Sequence, residues 1–307
     1  MRGFYLLGMK AVAFVAGHIP LPLALALGRA MGALAWRLDA KHRRIALDNL
    51  DLAYGDSITR TEKEAIARGL FKGLGMLAFE FTRLPWLTRE KLAGYVEMEG
   101  MERLTEALGR KKGVILVTAH LGNWELMAAW YGLMGYPVDV VVRRLDVPAV
   151  EDFVKWARTR CGNRIIFKAG SMRKLIRAVR RNQVVGILLD QNVADYEGVF
   201  VDYFGTPACT NKGPALLAAH TGAAVLPTFI VRRDGRHTIV IGEEIEMVNT
   251  GDKTSDVVEN TARCTGVIER MVRRHPDHWF WVHRRWKTRP AAGGGGGGGG
   301  DDAKARD

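Results

Sequence analysis

The chain has 307 residues, enough to bury a large core, and its 48% hydrophobic and 25% charged content is that of an ordinary globular protein. A formal charge of +12 points to an anionic partner, with nucleic acid, anionic lipid and an acidic carrier protein as the three to weigh. Cys161, Cys209 and Cys264 are far apart and odd in number, which excludes a disulfide-stapled fold or a cysteine metal site and fits a reducing cytoplasmic setting.

Residues 4–27 are strongly apolar, interrupted by Lys10, His18, Pro20 and Pro22. The prolines should end a first helix near Gly17, leaving a stretch short for a membrane span, which needs about 20 apolar residues. Residues 1–27 read as a membrane-associating segment, with a buried core helix as the alternative. Arg37, Lys41, Arg43 and Arg44 follow, a basic cluster suited to the anionic cytoplasmic leaflet. Residues 28–290 then form the main domain. Within it, residues 62–84 carry Ile66, Leu70, Leu74, Leu77 and Phe81 on one helical face, and Pro85 stops the helix. Residues 101–108 are a short amphipathic helix.

Residues 113–118 form an apolar, β-branched run that reads as a buried strand of a parallel sheet. The run ends at His120, and a helical segment begins after Gly122. His120 thus stands at the carboxyl end of a strand, where open α/β sheets bind their ligands. Glu125 lies in the first turn of the next helix and can fold back toward the imidazole, making a general base oriented by a carboxylate. A bare His-x4-Glu pair more often marks a satisfied polar residue and a carboxylate favouring a helix N-terminus.

A second strand, 137–142, ends in Arg143-Arg144, which could clamp a phosphate or form a solvated basic loop. Residues 165–167 are a third strand. The helix 171–181 has a basic face suited to lipid headgroups, an acidic carrier or plain solvent. The strand 184–189 ends in Asp190-Gln191, on the same sheet edge as His120. Residues 198–210 read as a loop, 212–219 as a helix, 223–231 and 237–245 as the last strands, and 257–274 as a closing helix. The class is α/β: a mostly parallel central sheet flanked by helices, with an apolar N-terminal helix that associates with a membrane. Residues 275–290 are rich in His, Trp and Arg, but their histidines straddle a proline and an aromatic run, which argues against zinc. Residues 291–307, with eight consecutive glycines, read as a flexible tail.

His120-Leu-Gly-Asn-Trp-Glu125 resembles the His-x4-Asp/Glu signature of the glycerolipid and lipid A acyltransferases, and its Gly-Asn-Trp-Glu version is similar to the late (lauroyl/myristoyl) acyltransferases of lipid A biosynthesis. Further blocks resemble that family in its order: Val141-Val-Arg143, Asp190-Gln191, Gly198-Val-Phe-Val, Phe204-Gly205-x-Pro207-Ala208-x-Thr210 and Trp281-Val-His283-Arg284-Arg285-Trp286-Lys287. Two departures, Val147-Pro148 for a common Asn-Pro and Tyr203 for a common phenylalanine, bear on substrate preference more than on reaction type.

The resemblance implies transfer of a fatty acyl chain from acyl carrier protein, or from CoA in some members, to a hydroxyl on a lipid A precursor, at the cytoplasmic face of a bacterial inner membrane. That hydroxyl is carried by an acyl chain already attached. The thioester is a co-substrate, so neither an organic cofactor nor a metal is expected. Nor is a serine or cysteine nucleophile, because His120, oriented by Glu125, can deprotonate the attacking alcohol directly. Backbone N–H groups around Gly122 and Asn123 are candidates for the oxyanion. Arg143, with Arg144, would bind acceptor phosphates or the carrier's phosphopantetheine, and Asp190 and Gln191 would position a sugar headgroup or support Arg143. The expected partners are acyl carrier protein, the anionic lipid and the membrane surface, and not nucleic acid. The rival readings are an acyltransferase for a lysophospholipid, another glycolipid or an amino-acid lipid, a basic nucleic-acid-binding protein, and a thioester hydrolase.

Overall fold

The computed structural model describes residues 2–168, 170–233 and 235–290; the glycine-rich tail read over 291–307 lies outside them. Two apolar helices, α1 (Arg2–His18) and α2 (Leu21–Leu38), are separated at Pro20 and bent by 116°. Neither is long and apolar enough to cross a membrane alone, although the bent pair is by length and composition. Both expose large apolar side chains, among them Phe4, Leu7, Val15, Leu23 and Leu34. Their inner faces pack on the long helix α4 (Arg60–Arg83), which begins with a Thr59/Glu62 capping box. The α2–α4 contact is backbone-close: a Cβ on Gly75 would stand 2.0 Å from the carbonyl oxygen of Gly28. In sequence, α3 (Ala40–Tyr54), capped by Asp39, connects α2 to α4.

Seven strands form one sheet: β1 (Val96–Glu99), β2 (Val114–Thr118), β3 (Val138–Val142), β4 (Arg164–Phe167), β5 (Val184–Leu188), β8 (Ala224–Arg233) and β9 (Arg236–Ile241), in the order β1-β9-β8-β2-β5-β3-β4. From β8 to β4 every neighbouring pair is parallel; β9 runs antiparallel to β8, and β1 runs parallel to β9. The mostly parallel reading holds. Alternate residues of the central strands feed two cores, Ile115, Val117, Val185 and Ile187 on one face and Val114, Leu116 and Val184 on the other, so β2 is buried throughout. The flanking helices are α5 (Arg89–Ala93), α6 (Met101–Gly109), α7 (Trp124–Leu133), α8 (Pro148–Thr159), α9 (Met172–Arg180), α10 (Gly213–Thr221) and α11 (Lys253–Arg274).

Several elements depart from the sequence reading. Helices α2, α3, α5 and α8 and the short edge strand β1 went unrecognised. The stretch read as a loop over 198–210 is an antiparallel hairpin, β6 (Gly198–Tyr203) and β7 (Thr206–Asn211). Its two-residue turn has positive φ at both Phe204 (58°) and Gly205 (75°), the backbone that best fits the twist of paired strands. The His-, Trp- and Arg-rich segment after α11 is core. Trp279, Trp281, Trp286 and Arg285 are buried, with Trp279 edge-on to Trp281 at 4.5 Å. Arg285 donates to the carbonyl of Cys209 (2.9 Å) and to Thr210, and lies over the Tyr203 ring. These tryptophans are therefore spent on packing against the hairpin and are not free to stack on nucleic acid bases.

Candidate active site

The pairing of β2 with β5 sets Thr118 opposite Leu188, so the residues two positions further on, His120 and Asp190, emerge side by side at the carboxyl edge. The Asp190 carboxylate accepts three bonds: from the His120 backbone N–H (2.9 Å), from His120 Nδ1 (2.9 Å) and from Trp279 Nε1 (2.8 Å). Burial by itself would raise this carboxyl group, but the adjacent imidazole and the donors from His120 and Trp279 outweigh it and hold it below the usual carboxylate range. Asp190 is therefore ionised and fixes Nδ1 as the protonated ring nitrogen. Trp124 (5.0 Å) and Phe280 (5.9 Å) flank the imidazole.

The turn that carries His120 is clamped from behind. Phe280 N–H donates to the His120 carbonyl (3.0 Å), Gly122 N–H donates to the His278 carbonyl (2.9 Å), and Leu121 bridges to Trp279. Gly122 has φ of 61°, and a Cβ there would lie 2.0 Å from the Ile230 carbonyl oxygen, so only glycine fits. Asn123 caps α7 through the Leu126 N–H (3.0 Å) and donates to Glu80 (2.7 Å). Glu80 in turn meets Arg232, His237 and Tyr95, a buried polar cluster that fastens the turn to α4 and the β8–β9 pair.

Glu125 is not the partner of His120. Its carboxylate is paired side-on with Arg158 of α8, Nε to Oε2 at 2.9 Å and Nη2 to Oε1 at 2.5 Å. One turn of helix carries Glu125 toward α8, whereas strand pairing brings Asp190 to the imidazole from 70 positions away. The carboxylate beside the His120 imidazole is therefore that of Asp190 and not, as the His-x4-Glu spacing suggested, that of Glu125. Asp190 is itself buried behind the imidazole, its two oxygens bonded to His120 and Trp279. The proposed oxyanion donors are revised too: Gly122 N–H is committed to His278, and Gly122 and Asn123 line a different cavity, with Arg232 and Asp277.

His120 and Glu125 do share one cavity. It has a volume of about 340 Å³ and runs from His120, Arg143 and Gln191 past Glu125 and Arg158 to an apolar interior that includes Leu116, Val138, Val140, Gly186 and Tyr131. Arg143 is at its mouth, 77% exposed, with Asp146 at 4.0 Å its one counter-ion among the described residues. Arg144 is turned away, stacked on Phe167 at 4.2 Å and paired with Glu151 at 3.2 Å. His283 accepts the Asn192 N–H through Nε2 (3.0 Å), and His278 accepts the Arg232 N–H (3.2 Å), so each imidazole has its own structural task.

Sequence reasoning missed Arg158, Trp279 and Glu80. Arg158 lies on the unrecognised helix α8. Trp279 lies in the segment noted only as rich in His, Trp and Arg, and Glu80 stands out only once its buried partners are known. The arrangement is a histidine with a buried carboxylate behind it and a deep apolar cavity in front. It is equipped to activate a hydroxyl beside an alkyl chain.

That site, at the carboxyl edge of a mostly parallel sheet and opening on an apolar cavity, is the arrangement expected of an α/β enzyme. The bacterial lipid A biosynthesis acyltransferase family model matches residues 3–288, and the chain belongs to that family. It is accordingly an O-acyltransferase. Among its relatives are the lipid A biosynthesis lauroyltransferase of Escherichia coli (strain K12), 28% identical across 89% of this chain and 88% of the relative, and the palmitoleoyltransferase of the same strain, 26% identical over the same shares. A phosphatidylinositol mannoside acyltransferase of Mycobacterium tuberculosis (strain CDC 1551 / Oshkosh) is 29% identical across 67% of this chain and 66% of its own.

Proposed function

We propose that the protein transfers a fatty acyl group from an acyl thioester, with acyl carrier protein the preferred donor, to a hydroxyl of a lipid A precursor. The observation that carries this reading is His120, locked at Nδ1 by ionised Asp190 and lining an apolar cavity. Nε2 is then the nitrogen left to receive the acceptor's hydroxyl proton as its oxygen attacks the thioester carbonyl carbon. Asp190 stabilises the imidazolium that forms. Collapse of the tetrahedral intermediate expels the thiolate, which takes the proton back from His120, leaving an ester and a free thiol. No covalent acyl-enzyme is needed. Exposed Arg143 at the cavity mouth supplies a cation for acceptor phosphates or for the donor's phosphopantetheine, and Gln191 lies beside it. The site is proposed to work at the cytoplasmic face of a bacterial inner membrane. Support comes from the exposed apolar residues of α1 and α2, from the basic residues Lys41, Arg43 and Arg44 close behind, and from the overall charge of +12.

The mannoside relative supplies a second reading, a different anionic glycolipid as acceptor with unchanged chemistry. The test is mass spectrometry of lipid products from wild type and His120→Ala. Each is given acyl carrier protein charged with mixed chain lengths, together with a bisphosphorylated lipid A precursor or a lysophospholipid. One added acyl mass on the precursor, absent with the variant, is the expected result. Transfer only to another lipid favours the second reading, and transfer undiminished in His120→Ala sinks the mechanism.

A further inference from the structure

A second cavity, of about 440 Å³, adjoins the one at His120. It lies between α4, which contributes Leu77, Ala78 and Phe81, and α8, which contributes Phe153 and Val154. Phe81 and Phe153 face each other edge-on at 6.1 Å. The two cavities share Glu125, Arg158, Val142, Arg143, Leu145 and Ile165, so they meet at the Glu125–Arg158 ion pair and at Arg143. Both volumes lie in the range of built ligand sites.

Their walls differ in a way that separates their tasks. The inner cavity lies between the strands β2, β3 and β5 and helix α7, with Leu116, Val138 and Gly186 of the sheet at its apolar end. The outer groove runs between two helices. Helix α8 is tied there to α1 by a bidentate ion pair of Arg2 with Asp152 (2.6 and 2.7 Å) and by Lys10 over the Trp156 ring (4.7 Å). The exposed apolar face of α1 and the exposed Leu145, Val147 and Val150 are thus parts of the same side of the molecule as the groove. The charge at its rim is positive: Glu151 is spent on Arg144, while Arg143 meets only an exposed carboxylate and Lys155 makes no ion pair among the described residues. An apolar floor with free cations at the edge is complementary to an anionic amphiphile.

Acyl transfer between lipids brings two alkyl chains to one base, and a cavity of about 340 Å³ has room for one of them. We propose that the outer groove between α4 and α8 holds the hydroxylated acyl chain of the acceptor lipid, its anionic headgroup at Arg143 and Lys155, while the inner cavity holds the donor's acyl chain. This rests on the acyl-transfer reading above.

Two kinds of variant separate the grooves. Ala78→Phe fills the outer one and Phe153→Ala widens it. Gly186→Ala narrows the inner one, because its Cβ would stand 2.9 Å from Cγ1 of Val138. Steady-state rates are measured with donors of graded chain length, and with two bisphosphorylated acceptors that differ only in the length of the hydroxylated chains. Wild type should discriminate against the short-chain acceptor by tenfold or more in kcat/KM. Ala78→Phe should abolish most of that discrimination by raising KM for the long-chain acceptor at least tenfold, with the donor-length profile unmoved. Phe153→Ala, which removes atoms and is the safer variant for folding, should shift acceptor preference toward longer chains, again without moving the donor profile. Gly186→Ala should do the converse, shifting the donor optimum to shorter chains only. A donor profile that moves with Ala78→Phe or Phe153→Ala, or acceptor discrimination that stays at the wild-type value in both, overturns the assignment. Failure of wild type to acylate either acceptor from any donor removes the lipid A precursor as acceptor, and is seen before any variant is made.

Discussion

The residue that decides the chemistry is Asp190. Replacing it with Asn keeps the size and most of the hydrogen bonds, but removes the negative charge and puts an amide donor within reach of Nδ1. The ring then favours the wrong tautomer, and the imidazolium formed during attack loses its counter-charge. A carboxylate-to-amide change behind a catalytic histidine is expected to lower kcat by roughly 100- to 10,000-fold with little effect on KM. Turnover that stays within a few-fold of wild type would remove Asp190 from the dyad. Glu125 should behave differently. Glu125→Gln leaves the largely buried Arg158 without its carboxylate, at an expected cost of about 3–5 kcal/mol in chemical denaturation. Adding Arg158→Met should recover most of that loss, because both charges are then gone. Full stability in the single variant would contradict a buried, functioning pair. The site was legible in part for a physical reason. The polar residues at strand ends, His120 and Asp190, could be placed on one edge from the sequence, but the identity of the partner depends on sheet register, which no local spacing encodes.

At the scale of elements, the turn between β2 and α7 is the most constrained piece of backbone in the site. Gly122→Ala forces a non-glycine residue to φ near 60° and drives a Cβ into the Ile230 carbonyl. Backbone strain and the displaced contact together should cost about 2–4 kcal/mol. Because His120 is two residues away, turnover should fall along with the denaturation midpoint. An alanine variant with wild-type stability would show that the turn has room to shift. The strands β2 and β5 were readable because they are continuous apolar runs with β-branched residues. The hairpin β6–β7 was not, since Gly198, Gly205 and Pro207 punctuate it like a loop, and its strands are held by Arg285 from the far end of the chain. Helix α8 was readable after all: Val150, Phe153, Val154 and Ala157 follow helical spacing behind a proline at the first position. The break between α1 and α2 followed directly from Pro20.

For the whole molecule, the exposed apolar surface of α1 and α2 predicts binding to anionic vesicles in a flotation assay. The double change Leu7→Glu with Val15→Glu should abolish co-flotation and leave the denaturation midpoint near wild type, since both side chains are exposed. Retained flotation would move the membrane contact elsewhere. Stability as a function of pH follows from buried groups distributed over the entire fold. Burial lowers His237, and it lowers His283 to about 4. Each therefore takes up its proton at a lower pH in the folded protein than in the unfolded chain, where an imidazole does so near pH 6.5. Glu80 is a carboxylate whose burial is outweighed by His237 and Arg232, which hold it at about 2, and Asp190 is lowered as well. In every case the unfolded chain binds more protons than the folded one, so stability falls as pH falls. The loss should begin below about pH 6.5 with the histidines and steepen below about pH 4.5 with the carboxylates, each fully engaged group adding up to about 1.4 kcal/mol per pH unit. His283→Gln isolates one contribution, because a glutamine oxygen can accept the Asn192 N–H in place of Nε2 but cannot take up the proton. Urea denaturation between pH 7.5 and 4 should then give a pH slope shallower than wild type by up to one proton's worth over the interval from 6.5 to about 4. An unchanged slope in that interval would mean that His283 is already protonated in the folded protein and that its bond to Asn192 is broken in solution.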